Sequence, residues 1–181
     1  AAWISDMRHD LWLLDAIHLG RYPADYVRYP GALAPEVRPG DMEAMSAPCD
    51  FLGVNYYSHM IMRAGTLTHD RGGALTDSLT AEQRSDPSAL LRVLDRIYER
   101  YGPRPIYITE NGIHLPEALG PDGECHDPVR LEYLKGHTAA LEKALAEGID
   151  LRGYCAWSLM DKFEWSAGYT ARYGLFFTDY A

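Results

Sequence analysis

Short apolar runs alternate with stretches of helical periodicity in the second half of the chain. Strand-like runs, rich in β-branched and aromatic residues, occupy residues 51–57, 105–109 and 153–159. Between them, apolar residues recur at spacings of three and four, which is typical of amphipathic helices. Each helical stretch follows an Asp-Pro pair, at Asp86 and Asp127, which predicts an N-cap and a proline in the first turn. This alternation predicts parallel strands joined by right-handed helical crossovers.

The number of strands limits the fold. Three parallel strands cannot close a barrel, and a sheet of three leaves two edges unpaired. A closed (β/α)₈ barrel needs eight strands and roughly 250 residues. We therefore expect residues 1–181 to form the C-terminal portion of a (β/α)₈ barrel that lacks its N-terminal strands; an independent three-stranded α/β domain is the alternative. Apolar residues at helical spacing begin at Ile4 and Met7, so the chain is expected to open within a helix and to be a piece of a longer protein. Residues 63–85 show no period and are predicted to form a long loop.

Composition narrows the class of protein. A hydrophobic content of 47% supports a core and argues against a disordered chain. The net charge is 17 − 26 = −9, which disfavours a nucleic-acid partner, because binding to phosphates rests on Lys and Arg. No apolar run approaches the roughly 18 residues of a membrane span. The three cysteines are widely spaced, and no metal-ligand spacing occurs, so we expect a reduced, cytoplasmic protein without metal or cofactor.

Candidate chemistry concentrates where the predicted strands end. Parallel barrels carry their active sites at the carboxyl ends of the strands. Glu110 directly follows a buried apolar strand, and a carboxylate there is costly unless it is used or paired. The alternative is a hairpin in which Asn111-Gly112 forms the turn and Glu110 is its polar flank. Pro116 disfavours that alternative, because proline would remove a ladder hydrogen bond from the second strand.

A second group follows the third strand. Trp157, Glu164 and Trp165 bring indole rings and a carboxylate into one short segment. Sugar rings present apolar C–H faces and a rim of hydroxyls, so aromatic platforms beside carboxylate acceptors suit them. The alternative is that both tryptophans are core residues. Their positions at or beyond the end of the strand favour the functional interpretation.

Three ordered motifs carry a resemblance to a known family. Residues 108–112 (Ile-Thr-Glu-Asn-Gly) resemble the nucleophile motif of glycoside hydrolase family 1, the β-glucosidase family. Residues 50–57 resemble the motif of its sixth strand, and residues 157–165, with residues 168–169 and 172–174, resemble the signature of its eighth strand. The resemblance covers essentially the whole chain and implies the part of the barrel that contains strands six to eight.

The resemblance implies a retaining β-glycosidase that hydrolyses terminal non-reducing β-D-glucosyl residues. Glu110 would be the nucleophile, forming a covalent glycosyl-enzyme, and Tyr57 would orient it. Asn55 would share in this role, because residues two apart on a strand face the same way. The implied substrate-binding residues at the glycone site are Trp157, Glu164, Trp165 and Tyr173. The family's acid/base glutamate lies in an Asn-Glu-Pro motif, which this chain lacks, so the N-terminal half of the same barrel would supply it.

Two other functions remain open at this point. One is a non-catalytic half-barrel that binds sugar or pairs with another chain. The other is a 6-phospho-β-glycosidase. Members of that class are similar to this chain in carrying Tyr at the position of Tyr173, but they carry Ser at the position of Glu164 and Lys at the position of Ala171. Because Glu164 would repel a phosphate, we expect a neutral β-glucoside as substrate.

Lys162 stands where the family usually has Asn. The chain alone is expected to be inactive.

Overall fold

A computed structural model describes residues 10–28, 35–59, 85–116 and 118–180, apart from the side chains of residues 27 and 28. The chain divides into two compact units. The described part of the first, residues 10–28 and 35–49, contains three short helices: α1 (Trp12–Leu19), α2 (Ala24–Arg28) and α3 (Asp41–Met45). Helix α1 confirms the later part of the predicted N-terminal helix, whereas Ile4 and Met7 lie outside the described residues. Nearly all of the predicted loop at residues 63–85 lies outside them as well.

The described part of the second unit covers residues 50–59, 85–116 and 118–180 and contains one parallel sheet. Its three strands lie in the order β1 (Leu52–Tyr56), β2 (Ile106–Asn111) and β3 (Leu151–Ala156). Helix α4 (Pro87–Tyr101) connects β1 to β2, and helix α5 (Pro128–Ala146) connects β2 to β3. The parallel pairing confirms the predicted alternation of strands and helices and contradicts the hairpin alternative for residues 110–112.

Both long helices begin at the predicted Asp-Pro pairs. The Asp86 side chain accepts a hydrogen bond from the Ser88 N–H at 2.9 Å, and the Asp127 side chain accepts one from the Arg130 N–H at 3.3 Å. A proline follows each cap, where the missing N–H costs nothing. Helix α4 ends at Gly102, whose φ of +80° is readily adopted only by glycine.

The hydrophobic core of this unit lies between the sheet and the two helices. Buried side chains from the apolar stripe of α4 pack with those of α5 and with alternate residues of β2; they include Leu90, Leu94, Ile97, Ile106, Ile108, Leu141 and Ala144. The opposite face of the sheet is more exposed to solvent: Phe51 is 55% exposed, and Thr109 and Cys155 are also exposed. One face of the sheet therefore forms a packed core, and the other is open in this chain.

Two strands end differently from the sequence prediction. Strand β2 extends through Glu110 and Asn111 because its pairing with β1 continues after a register shift, with Val54 opposite Ile108 and Asn55 opposite Glu110. Thr109 is thus the extra residue of a β-bulge. Strand β3 ends at Ala156 rather than at residue 159, because the following backbone pairs with the C-terminal segment: the Ser158 N–H donates to the Tyr173 carbonyl at 3.0 Å.

Two negative findings concern the described residues only. None of the helices there combines the length and the apolar character required to cross a bilayer. The same residues contain no group of three or more His, Cys, Asp or Glu side chains positioned to hold a metal ion.

Candidate active site

The residues predicted for catalysis meet where β1 and β2 end. Tyr57 directly follows β1, and its hydroxyl donates a hydrogen bond to Oε2 of Glu110, the next-to-last residue of β2. Both side chains are partly buried. The parallel pairing explains the contact, because it places the carboxyl ends of adjacent strands side by side. The geometry therefore supplies Glu110 with a donor that fixes the orientation of its carboxylate.

The protonation of Tyr57 suits this role. Burial raises the pKa of the Tyr57 phenol, and the hydrogen bond to Glu110 and the nearby charges of Glu110 and Glu164 raise it further. The phenol therefore keeps its proton at every pH at which the protein would ordinarily be assayed. It acts as a donor to Glu110 rather than as a base.

Tyr173 packs against Tyr57 from the C-terminal segment. Their ring centroids lie 5.6 Å apart with the planes at 72°, the edge-to-face arrangement favoured by aromatic pairs. The Tyr173 hydroxyl lies 3.2 Å from Nδ1 of His114, a hydrogen-bond distance. His114 is a neighbour of the site that the sequence analysis did not identify, since no spacing pattern distinguishes it.

A second carboxylate forms its own cluster with Trp157. Glu164 is only 8% exposed, and its Oε1 accepts a hydrogen bond from Nε1 of Trp157 at 3.3 Å. Nζ of Lys162 lies 2.9 Å from the same oxygen and 4.2 Å from the centroid of the indole ring. Trp157, Lys162 and Glu164 thus form one compact group, which we call the Trp157 cluster.

Two of the predicted residues make no described side-chain contact with these groups. Asn55 accepts a hydrogen bond from the Thr109 hydroxyl at 2.7 Å, and it makes no described contact with Glu110 or Tyr57 beyond its place in the strand register. Trp165 begins a 3₁₀ turn, Trp165–Ala167, and its side chain is 85% exposed. The structure therefore forms two groups from the other predicted site residues: Tyr57 contacts Glu110 and Tyr173, and Trp157 contacts Glu164.

A buried amide holds the strand ends in place. The Asn111 side chain is fully buried and donates to the Tyr56 carbonyl at 2.8 Å and to the Tyr133 hydroxyl at 2.9 Å, while its oxygen accepts from the Tyr154 hydroxyl at 2.9 Å. Such full satisfaction is what makes a buried amide tolerable. Because Asn111 adjoins Glu110, these bonds connect the backbone at Glu110 to β1, to β3 and to helix α5.

Helix α5 supports the site through two residues on one face. The Tyr133 hydroxyl donates to the Tyr57 carbonyl at 2.6 Å, which fixes the backbone that carries the Tyr57 side chain. The buried Arg130 guanidinium donates to the carbonyls of Gly174 and Arg172. No spacing pattern in the sequence indicates which atoms Arg130 and Tyr133 contact.

The segment after β3 folds around a buried carboxylate. Asp161 accepts hydrogen bonds from the Gly174 N–H at 2.9 Å and from Nη1 of Arg172 at 2.6 Å. Burial disfavours its charged form, but these bonds and one from the Thr178 N–H outweigh burial and hold the pKa of Asp161 below its usual value. The ion pair fixes the segment that presents Glu164 and Tyr173 to the site.

Close backbone packing explains the glycine after Glu110-Asn111. A Cβ atom on Gly112 would lie 1.9 Å from the Trp157 carbonyl oxygen, far inside van der Waals contact. The chain after β2 therefore passes directly against the chain after β3. Only glycine permits the approach that places Glu110 and Trp157 at one end of the sheet.

The arrangement at the ends of the strands is typical of barrel enzymes that bind sugars. Carboxylates with fixed orientations and an indole ring lie at the carboxyl end of a parallel α/β sheet, where barrel enzymes bind substrates, and they suit a hydroxyl-rich ligand such as a sugar. The model of glycosyl hydrolase family 1 matches residues 2–181, and the chain belongs to this family.

Individual relatives agree with the family. The chain is 33% identical to β-glucosidase A of Thermotoga maritima over 171 residues, which cover 93% of this chain, and 38% identical to β-glucosidase 30 of Arabidopsis thaliana over 193 residues, which also cover 93%. Among solved structures, the Thermotoga maritima β-glucosidase in complex with castanospermine superimposes with a TM-score of 0.86 at 33% identity over 99% of this chain. The chain thus shares its α/β fold with the matched part of a family 1 structure.

The matched proteins are much longer than this chain. The match covers 38% of the Thermotoga maritima β-glucosidase A sequence, 33% of the Arabidopsis thaliana sequence and 42% of the castanospermine-bound structure. The chain therefore spans roughly two fifths of the relatives that it matches.

Proposed function

We propose that this chain is the part of a family 1 barrel that contains strands six to eight and carries the nucleophile of a retaining β-glycosidase. The observation that carries the proposal is the hydrogen bond from Tyr57 to Glu110 at the carboxyl ends of adjacent parallel strands. The bond engages Oε2 of Glu110 and leaves the other carboxylate oxygen to attack a substrate.

The reaction proceeds in two steps in this proposal. Glu110 attacks the anomeric carbon, an ester bond to the sugar forms, and the bond to the leaving group breaks as a second carboxylic acid protonates the departing oxygen. That residue then removes a proton from water, which attacks the anomeric carbon and releases Glu110. Retaining enzymes place the two carboxyl groups about 5–5.5 Å apart. We assign the second group to the preceding strands of the barrel.

Other residues bind the sugar in this proposal. The indole of Trp157 forms a platform for an apolar face of the ring, and Glu164 accepts hydrogen bonds from hydroxyls remote from the reacting carbon. Tyr173 packs beside Tyr57 at the same subsite. The names of the relatives support a terminal β-D-glucosyl residue as the substrate.

Covalent labelling tests the assignment of Glu110. The complete barrel, meaning this chain with the N-terminal strands that we propose accompany it, is treated with 2,4-dinitrophenyl 2-deoxy-2-fluoro-β-glucoside. We expect one label on the peptide that contains Glu110, because the fluorine slows release of the glycosyl-enzyme. Glu110→Gln should take up no label, whereas Glu132→Gln, at an exposed position on α5, should be labelled normally. A label on any other carboxylate contradicts the assignment.

The isolated chain provides a second test. We propose that it does not hydrolyse aryl β-glucosides, because it contains no Asn-Glu-Pro acid/base motif and one face of its sheet is open. Saturable turnover by the purified 181-residue chain would contradict this. Sugar binding without turnover in the complete barrel would instead support a non-catalytic half-barrel. The cytoplasmic location expected from the cysteines stays a prediction.

A further inference from the structure

Helix α5 buries a histidine behind the ends of the strands. His137 is fully buried and lies one helical turn after Tyr133. Its ring stacks on that of Tyr133, with the centroids 3.9 Å apart and the planes at 26°, and the ring of Tyr56 lies 5.7 Å away. Nδ1 of His137 also lies 2.8 Å from the Tyr133 carbonyl oxygen. The imidazole therefore contacts Tyr133 twice, through its ring face and through Nδ1.

The surroundings of the imidazole determine which nitrogen carries its proton. Burial lowers the pKa of His137, so the ring is neutral near pH 7 and has one N–H group. The Tyr133 carbonyl can only accept, so the proton lies on Nδ1 and is donated to that carbonyl. Nε2 is then an acceptor. It is buried and has no hydrogen-bond partner among the residues that the structure describes.

Core stability alone does not explain a histidine at this position. A buried acceptor without a partner lowers stability, and a leucine of similar volume would avoid that cost. The Tyr133 carbonyl already belongs to the hydrogen-bond ladder of α5, so the helix does not need the bond from Nδ1. What the histidine adds is a second constraint on Tyr133.

Tyr133 connects His137 to the reacting carboxylate. Its hydroxyl donates to the Tyr57 carbonyl at 2.6 Å and accepts from the Asn111 amide at 2.9 Å. The Tyr57 side chain in turn bonds Glu110, and Asn111 is the next residue after Glu110 in β2. A rotation of the Tyr133 ring would therefore disturb Glu110 from two directions, through its hydrogen-bond donor and through its own strand.

We propose that His137 is a positioning residue for Glu110 that acts by fixing the ring of Tyr133. This inference rests on the proposed function of the site. None of the described contacts of His137 involves Glu110, so its effect passes through Tyr133. A misplacement of about 1 Å at a reacting group can slow a reaction roughly 100-fold, and a smaller shift transmitted through one ring should cost about tenfold.

The test measures covalent labelling of the complete barrel by 2,4-dinitrophenyl 2-deoxy-2-fluoro-β-glucoside. The total dinitrophenolate released counts the competent sites. Its time course at increasing glucoside concentration gives the rate constant of labelling and the inhibition constant. We compare the native protein with His137→Leu, Tyr133→Phe and the double variant, each well below its melting temperature. The matched control is Leu141→Ala, which truncates another buried side chain one turn further along α5.

We expect His137→Leu to lower the rate constant per competent site about tenfold and to keep the inhibition constant within about threefold, because no contact with the sugar is removed. Its melting temperature should change little, since the lost bond is offset by removal of the unpartnered Nε2. After Tyr133→Phe, the further change to leucine at position 137 should matter less than about threefold, because both act on one connection. Leu141→Ala should lower the melting temperature and leave the rate constant within about threefold.

Three results overturn the inference. They are a native rate constant per site in His137→Leu, an equal loss in Leu141→Ala, and losses that multiply in the double variant. Glu110 is still labelled in each of these, so the proposed function survives. If His137→Leu yields no soluble protein, His137→Phe decides, because it keeps the ring and lacks the donor: a loss of at least about threefold supports the inference, and no loss overturns it. If the native barrel takes up no label at Glu110, the proposed function fails, and the inference fails with it.

Discussion

Replacing Tyr57 with phenylalanine removes one oxygen atom and the hydrogen bond to Glu110, while the ring and its edge-to-face packing with Tyr173 remain. A hydrogen bond to a charged group contributes about 1.5–3 kcal/mol. At about 1.4 kcal/mol per factor of ten, its loss corresponds to a decrease in kcat/KM of about 10- to 150-fold. The decrease should fall mainly on formation of the glycosyl-enzyme, because the freed carboxylate can rotate away from the attacking orientation.

The assay is the steady-state hydrolysis of p-nitrophenyl β-glucoside by the complete barrel, with a thermal melt of each variant. The matched control is Tyr98→Phe, which also removes a phenol oxygen. The Tyr98 hydroxyl bonds the Arg104 carbonyl and the Asp150 N–H, close to where β2 and β3 begin, at the other end of the sheet. Tyr98→Phe should lower the melting temperature and leave kcat/KM within about threefold. If Tyr57→Phe also stays within that range, Tyr57 does not orient the reacting carboxylate.

Three further predictions concern the framework of the site. Asn111→Ala should lower the free energy of unfolding by about 3 kcal/mol, measured by urea denaturation, because it leaves buried partners unsatisfied and opens a cavity; a loss below about 1 kcal/mol would contradict the role of the amide. Asp86→Ala should cost about 1 kcal/mol near pH 7. Hydrogen bonds from Ser88 lower the pKa of Asp86 to about 2. This contribution is therefore present above the unfolded pKa near 4 and is lost as the pH falls from there towards 2. The same urea measurements should show the difference in free energy of unfolding between the native protein and Asp86→Ala becoming smaller at low pH, and a difference independent of pH would refute the linkage. Gly112→Ala should reduce both the melting temperature and kcat/KM, since its Cβ would collide with the Trp157 carbonyl; normal values of both would show that the backbone there adjusts freely.

Local signals predicted the helices of the second unit well. Asp86 and Asp127 cap α4 and α5 at the expected residues, because capping depends on neighbouring backbone atoms only. The ends of the strands depended on distant partners. Glu110 lies within β2 because β1 continues to pair with it across the bulge. Strand β3 ends at Ala156 because the backbone that follows forms hydrogen bonds with the C-terminal segment.

The site was predictable where side-chain chemistry is distinctive. An acidic residue at the end of an apolar strand and indoles beside a carboxylate both indicated a site from the sequence. The roles of Asn111 and Tyr133 were not visible, because a buried amide and a helical tyrosine have ordinary spacings and acquire their function from partners far along the chain. The sequence shows Lys162 only as a departure from the family pattern, because its contacts with Glu164 and Trp157 depend on the folded chain.

The hydrogen bonds of Asn111 distinguish residues that must stay unchanged from loops that can vary. They hold Glu110 through the strand backbone and a helix, and the loops that surround a barrel mouth take no part in them. Such loops generally tolerate changes in length and sequence, and the bonds of Asn111 would keep the Glu110 backbone in place. Under the proposed function, selection for a new leaving group can therefore act on loop residues that take no part in these bonds. Libraries for altering aglycone preference should leave Asn111, Tyr133 and Tyr154 unchanged, together with the loop residues that contact the site, namely Tyr57, Gly112, Trp157 and Glu164.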